Sequence, residues 1–404
     1  MDADETEAQL QRLTKQAEHV VRSEDLAEKL KSGKKLRVKL GLDPTVAAVT
    51  LGWAVPLQKL RQFQDEGHTV VLILGDFTAR IGDPSGKSET RPQLSKEEVR
   101  ANAETCLLQL KDILSETNLE VRYNSEWLEP MDLPGLLRLT ANYTVAQMLE
   151  RDDFSKRYAD GRPISLVEFM YPLMQGYDSV AVEADVELGG TDQLFNLLVG
   201  RDLQRAYGQE PQVALTMPLL VGTDGSQKMS QSLGNYIGIR ETPEDIFGKV
   251  MSIPDHLVGQ YAALGTKLPD EEVERLAGLA GAGGPQAGDA KRAVARSIVE
   301  QYHGSDAARH AEQAFDRQFK QHREPEEISE TTLPEEAVNA DGTVSLPAAL
   351  AALGLSSSRG EARRLMKQGG VRVDGEQIST EEIERSRLVG AVLQVGRRKF
   401  VRIL

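Results

Sequence analysis

The run Thr69-Val-Val-Leu-Ile-Leu-Gly75 limits this chain's fold more than any other feature. It is aliphatic and β-branched without alternation, so neither face is offered to water. Such a run reads as a parallel strand covered on both sides. Upstream, Leu36-Arg-Val-Lys-Leu40 alternates apolar and polar and meets Gly41-Leu-Asp-Pro44, a strand ending in a turn. Helical spacing over residues 54–65 separates the two. Strand, helix and buried strand make a βαβ unit. The expected class is therefore α/β with a parallel sheet, binding ligands at the carboxyl ends of its strands. The pattern resumes at 180–188 and 212–221 with a helix between, whereas residues 3–32 read as helix from Leu10, Leu13, Ala17, Val20 and Val21.

A chain of 404 residues exceeds one core, and at roughly 150 residues per domain two or three are expected. The α/β pattern fills 1–225, and residues 226–323 are helical with a Gly- and Ala-rich loop at 277–288. Residues 324–342, rich in Glu, Pro, Thr and Asp, read as a linker. The remainder, 343–404, differs in charge: 11 Lys and Arg against 6 Asp and Glu give +5, leaving −19 elsewhere. A small basic module thus hangs on an acidic body. The single cysteine, Cys106, excludes a disulfide framework and cysteine-built zinc sites, and no metal site is expected. No run of 18 apolar residues offers a membrane span. The acidic N-terminus is unlike a targeting peptide, so a cytoplasmic protein is expected.

Three clusters carry chemistry. In Gly75-Asp-Phe-Thr-Ala-Arg-Ile-Gly-Asp-Pro-Ser-Gly-Lys87, Asp76 and Asp83 could face a cationic group, or could simply cap the following helix. In Tyr171-Pro-Leu-Met-Gln-Gly-Tyr-Asp178, the polar groups Tyr171, Gln175 and Asp178 share one helix face among apolar neighbours. That stripe faces either a pocket or solvent. Leu188-Gly-Gly-Thr-Asp-Gln193 follows a strand with two glycines, a carboxylate and an amide, which suits close approach to a ribose.

Taken in order, with Gly41-Leu-Asp-Pro-Thr45, these motifs resemble the bacterial tyrosyl-tRNA synthetases, class I enzymes, over essentially 34–404. The resemblance implies a Rossmann-type catalytic domain, a helical tRNA-binding domain and a C-terminal S4-like RNA-binding domain. It implies ATP and tyrosine as substrates, Mg²⁺ entering with ATP, tRNA(Tyr) as partner and a homodimer paired through the catalytic domains. Segment 133–159, with Leu137, Val145, Met148 and Leu149, suits the dimer contact. Tyr171, Gln175 and Asp83 match residues that hold the substrate ammonium, with Asp76 and Thr78 close by. Asp178 matches the acceptor of the phenolic hydroxyl, and an unmatched buried acceptor discriminates against phenylalanine. Gln193 matches the amide near the carboxyl. Asp192 and Gly190 match ribose contacts, and Gly41 and Asp43 contact nucleotide and substrate. Many relatives carry a tyrosine near the phenol where this chain has Lys39.

The signatures depart from the family. The expected His-Ile/Leu-Gly-His is Thr50-Leu-Gly52-Trp53, and the expected Lys-Met-Ser-Lys-Ser is Lys228-Met229-Ser230-Gln231-Ser. Both imidazoles and one lysine are gone, leaving Lys228 and Lys87 as phosphate-side cations. Three readings stay open: a weakened ligase, a paralogue binding tyrosine or an analogue for another reaction, and a non-catalytic binding protein. In the basic module, Arg359, Arg363 and Lys367 recur every four residues, a stripe suited to RNA phosphates.

Overall fold

The computed structural model describes residues 3–45, 48–83, 95–319, 328–339, 341–396 and 399–404. The chain divides into two compact units, Met1–Tyr302 and His303–Leu404. In the first, six strands form one sheet: β1 (His19–Val21), β2 (Arg37–Leu42), β3 (Thr69–Leu74), β4 (Leu119–Tyr123), β5 (Val186–Gly190) and β6 (Val213–Met217). Their order is β1-β6-β5-β2-β3-β4, and every pairing is parallel except β1 with β6. From β2 the chain runs outward through β3 to β4, then returns to the other side of β2 with β5. The direction of winding reverses there, and a crevice opens at the carboxyl ends of β2 and β5. Val70 through Leu74 of β3 are all buried, as a strand covered on both faces must be.

The N-terminal 30 residues are not one helix. A helix, Ala3–Thr14, ends where Gln16 takes a left-handed backbone at φ 62°, and β1 then pairs with β6 before the helix Ser23–Lys31. Val20 and Val21 follow strand rather than helix preference once an edge is available to pair with. The Gly- and Ala-rich stretch is also no loop. Helices Asp270–Ala282 and Gly284–His303 meet at Gly283 and Gly284, whose φ values of 73° and 59° make the break.

In the second unit, a five-stranded sheet backs the helices Leu346–Ala352 and Arg359–Lys367. Ala349, Leu350, Ala362, Met366, Val371 and Ile403 are among its buried core. Within the stretch read as linker, Ser329–Thr331 is a strand in parallel register with Val401–Ile403.

Lys39 and Glu187 are register partners on β2 and β5, fully buried, with Nζ 2.9 Å from the carboxylate. The ammonium also donates to the Gln175 carbonyl (2.9 Å) and Ser179 Oγ (2.8 Å). Glu187 in turn accepts from Gln175 Nε2 (3.3 Å), Ser179 Oγ (3.0 Å) and Gln212 Nε2. Such a pair is costly to leave half-made. Lys39→Met should cost about 3–5 kcal/mol of stability, because Glu187 remains buried and unpaired. Lys39→Met with Glu187→Gln should recover much of that loss, since no charge is then stranded. Urea unfolding of wild type, single and double variants checks both expectations.

Candidate active site

A cleft of about 1300 Å³ opens at the reversal point of the sheet. Its floor is the carboxyl ends of β2, β3 and β5, where Gly41, Gly75 and Gly190 line it. Gly75 has to be glycine, because a Cβ there would collide with the Asp43 carboxylate and the Thr78 hydroxyl. One wall is the helix Leu166–Ala181, held at its start by a capping box between Ser165 and Glu168. Tyr171, Gln175 and Asp178 project from it into the cleft, so the polar stripe faces a pocket.

The half of the cleft beside this helix is a hydrogen-bonded set of acceptors. Asp43 accepts from Tyr171 Oη (2.8 Å) and Thr78 Oγ1 (2.7 Å), and Thr78 accepts from Asn124 Nδ2 (2.9 Å). Burial, with Asp43 next in weight, pushes the Tyr171 phenol well above its usual range and keeps it a donor. Asp83 accepts from Gln193 Nε2 (2.9 Å) and lies 3.6 Å from the buried Arg151 guanidinium. Asp178 accepts from Trp127 Nε1 (2.8 Å) and Asn124 Nδ2 (3.4 Å). Its burial pushes its carboxyl up to about 7, opposed by Lys39 and by those two donors. Of the described residues lining the cleft, four aspartates face two cations, Arg80 and Lys228, so the site favours a bound cationic group.

The opposite half contains the two altered signatures. Thr50 is the N-cap of the helix Leu51–Asp65, its Oγ1 accepting from Trp53 N at 3.2 Å. Thus the threonine serves the backbone in the place where the resemblance implies an imidazole. Gly52 N donates to Met229 Sδ (3.3 Å), and Leu51 N to the Ile237 carbonyl (2.8 Å). Gln231 Nε2 donates to the Ala48 carbonyl, tying the second signature to the loop before the first. Ser230 N donates to Asn235 Oδ1 (2.8 Å), and Lys228 Nζ pairs with Asp192 at 2.7 Å. Trp53, half-buried, shares the cleft wall with Gly190, Asp192 and Met229.

Residues 31–320 match the family model of the class I tRNA synthetases for tryptophan and tyrosine, and 344–382 match the S4 domain. The chain belongs to that class I family. It is 51% identical to the tyrosine–tRNA ligase of Moorella thermoacetica over 99% of this chain and 96% of that protein. With the tyrosine–tRNA ligase of Thermotoga maritima the identity is 48%, over 98% and 97%. Among solved structures, the tyrosyl-tRNA synthetase of Archaeoglobus fulgidus in complex with L-tyrosine is 25% identical. Its TM-score is 0.60, over 76% of this chain and 99% of that one.

Two residues expected at the substrate, Asp76 and Lys39, do not line the cleft of this class I synthetase. Asp76 is buried and accepts from Ser125 N (2.9 Å) and Ser125 Oγ (2.7 Å), anchoring the turn after β4. Lys39 lies beneath the floor, its charge spent on Glu187. Lys87 is outside the described residues. Asn124, Trp127, Arg151, Asn196 and Glu187 were missed by sequence reasoning. Asn124 had one signal, its place directly after β4, and Glu187 another, a carboxylate inside an apolar strand. Arg359, Arg363 and Lys367 are exposed on one face of their helix, although Arg363 pairs with Glu381 at 2.8 Å. In segment 133–159, Leu137 and Val145 are exposed as expected, whereas Met148 is buried in the helix packing and Leu149 is half-buried.

The Asp178 carboxyl gives a pH expectation. Its folded value lies above the ordinary one near 4, so folding binds its proton more tightly. That contribution is present below about pH 4 and is lost as pH rises through about 7. Relative to Asp178→Asn, wild type should lose on the order of 4 kcal/mol between about pH 4 and pH 8, then level off. Denaturant unfolding across that range tests it, and a difference that does not change with pH counts against it.

Proposed function

We propose that this chain is a tyrosine–tRNA ligase, activating tyrosine with ATP to tyrosyl-adenylate and transferring it to tRNA(Tyr). One observation carries the tyrosine specificity: a buried carboxylate, Asp178, at the end of a pocket whose other end gathers Tyr171, Gln175 and Asp83. A phenol would donate to Asp178 while an α-ammonium would be met by the acceptors of Gln175, Asp83 and Asp43. Gln193 would lie by the substrate carboxyl. Gly41, Gly52, Gly190, Asp192, Met229 and Ser230 would border the nucleotide, with Lys228 and Lys87 supplying positive charge. Mg²⁺ would enter on the triphosphate, as it commonly does with one or two carboxylates and substrate phosphates.

Adenylate formation is attack of the tyrosine carboxylate on the α-phosphate with pyrophosphate leaving. The protein's share is positioning and donors aimed at developing charge. Each lost donor costs about 3 kcal/mol of transition-state stabilisation, so the altered signatures imply a slow ligase. Those replacements also favour a second reading, a paralogue that binds tyrosine for another reaction. The S4-domain match and the exposed basic stripe support continued use of RNA. Exposed Leu133, Leu137, Val145, Tyr158 and Leu166 support pairing of two copies in a homodimer.

Tyrosine-dependent pyrophosphate exchange should be measurable in wild type. It should rise roughly tenfold or more when Thr50→His, Trp53→His and Gln231→Lys are combined. The Thr50 change should itself cost about 1 kcal/mol of stability through the lost cap. Absence of exchange in wild type and triple variant alike, with tyrosine still bound in calorimetry, would hand the case to the second reading. Light scattering should give a dimer at micromolar concentration, and a monomer would refute the pairing.

A further inference from the structure

Three carboxamides meet at the pocket, Gln175 and Gln193 lining it and Asn196 behind them, and a carboxamide's two ends have nearly the same shape but opposite polarity. Which end faces a ligand therefore depends on its neighbours. Asn196, on the helix Leu194–Ala206, is 1% exposed and outside the cleft lining. Its Oδ1 accepts from Arg151 Nη1 at 3.2 Å, and a guanidinium can only donate. Its Nδ2 must then point the other way, and it donates to both Gln175 Oε1 (2.8 Å) and Gln193 Oε1 (3.1 Å). At the far ends are groups that can only accept: Gln175 Nε2 donates to Glu187 and Gln193 Nε2 to Asp83. One donor-only residue and two acceptor-only residues thus leave each amide a single arrangement in which every bond is made.

We propose that Asn196 is a positioning residue for the substrate α-ammonium, setting the Gln175 amide so that its oxygen rather than its NH₂ is held toward the end of the pocket that would take the ammonium. The proposal rests on the reading of the pocket given above. Were Gln175 reversed, its NH₂ would oppose an ammonium and its oxygen would face the Glu187 carboxylate. Arg151 meets this set at Asn196 and Asp83, and Glu187 meets it at Gln175.

The test compares two ligands by calorimetry on the full chain: L-tyrosine, and 3-(4-hydroxyphenyl)propanoate, which lacks the amino group. Asn196→Leu has a similar shape with no polar end, and Asn196→Ser keeps one donor in a smaller volume. Tyrosine affinity should fall about tenfold in Asn196→Leu, the size expected when a hydrogen bond to a charged group is misdirected, and by less in Asn196→Ser. Affinity for the desamino ligand should change less than twofold in both. If Asn196→Leu does not fold, the same contrast in Asn196→Ser decides. Equal losses for both ligands, or none for either, would overturn the proposal while leaving the pocket reading intact. Failure of wild type to bind tyrosine would instead remove the pocket reading, and this inference with it.

Discussion

The ion pair between Lys39 and Glu187 fixes the place where this sheet reverses its winding. Two adjacent parallel strands, β2 and β5, carry opposite charges at paired positions with no access to water. Neither residue is tolerable there without the other, so the pair excludes registers that a run of valines and leucines would accept. The Lys39 ammonium also holds the carbonyl of Gln175 and the hydroxyl of Ser179, which lie on the helix that walls the cleft. Strand register and helix placement are therefore set at one point, directly beneath the pocket floor.

From that point the two halves of the cleft are built in different ways. On the side of the helix Leu166–Ala181, almost every polar atom named above answers another, and the groups left toward the cavity are acceptors. On the signature side the side chains bond to the chain itself: Thr50 to Trp53 N, Gln231 to the Ala48 carbonyl, Lys228 to Asp192. The half beside the helix presents acceptors to the cavity, whereas the side chains of the signature half are engaged within the chain itself.

How far the sequence foretold this varied with the physics of each element. The strand β3 was legible because a run with no polar face has few alternatives. The strand β1 was not, since three residues, His19–Val21, continue a helical spacing and take strand form only when β6 offers an edge. The stripe of Tyr171, Gln175 and Asp178 could be placed on one face from spacing, but not assigned to a pocket. Lys39 and Asp76 were set at the substrate by resemblance to the family, and only their partners, Glu187 and Ser125, show that they are turned away from the cleft lining. Asn124, Asn196 and Arg151 are single polar residues in ordinary surroundings. Their importance comes from contacts across the fold, which no local pattern reveals.

The bond from Gln231 to the Ala48 carbonyl bears on when the second signature is ordered. A lysine at that position would find its best partner in a polyanion, so part of the cost of fixing its side chain would fall at the moment of nucleotide binding. A neutral amide finds its partner within the chain, and that conformational entropy is spent during folding. The second signature is then already held before any nucleotide arrives, and that bond does not vary with ionic strength as a charged side chain's would.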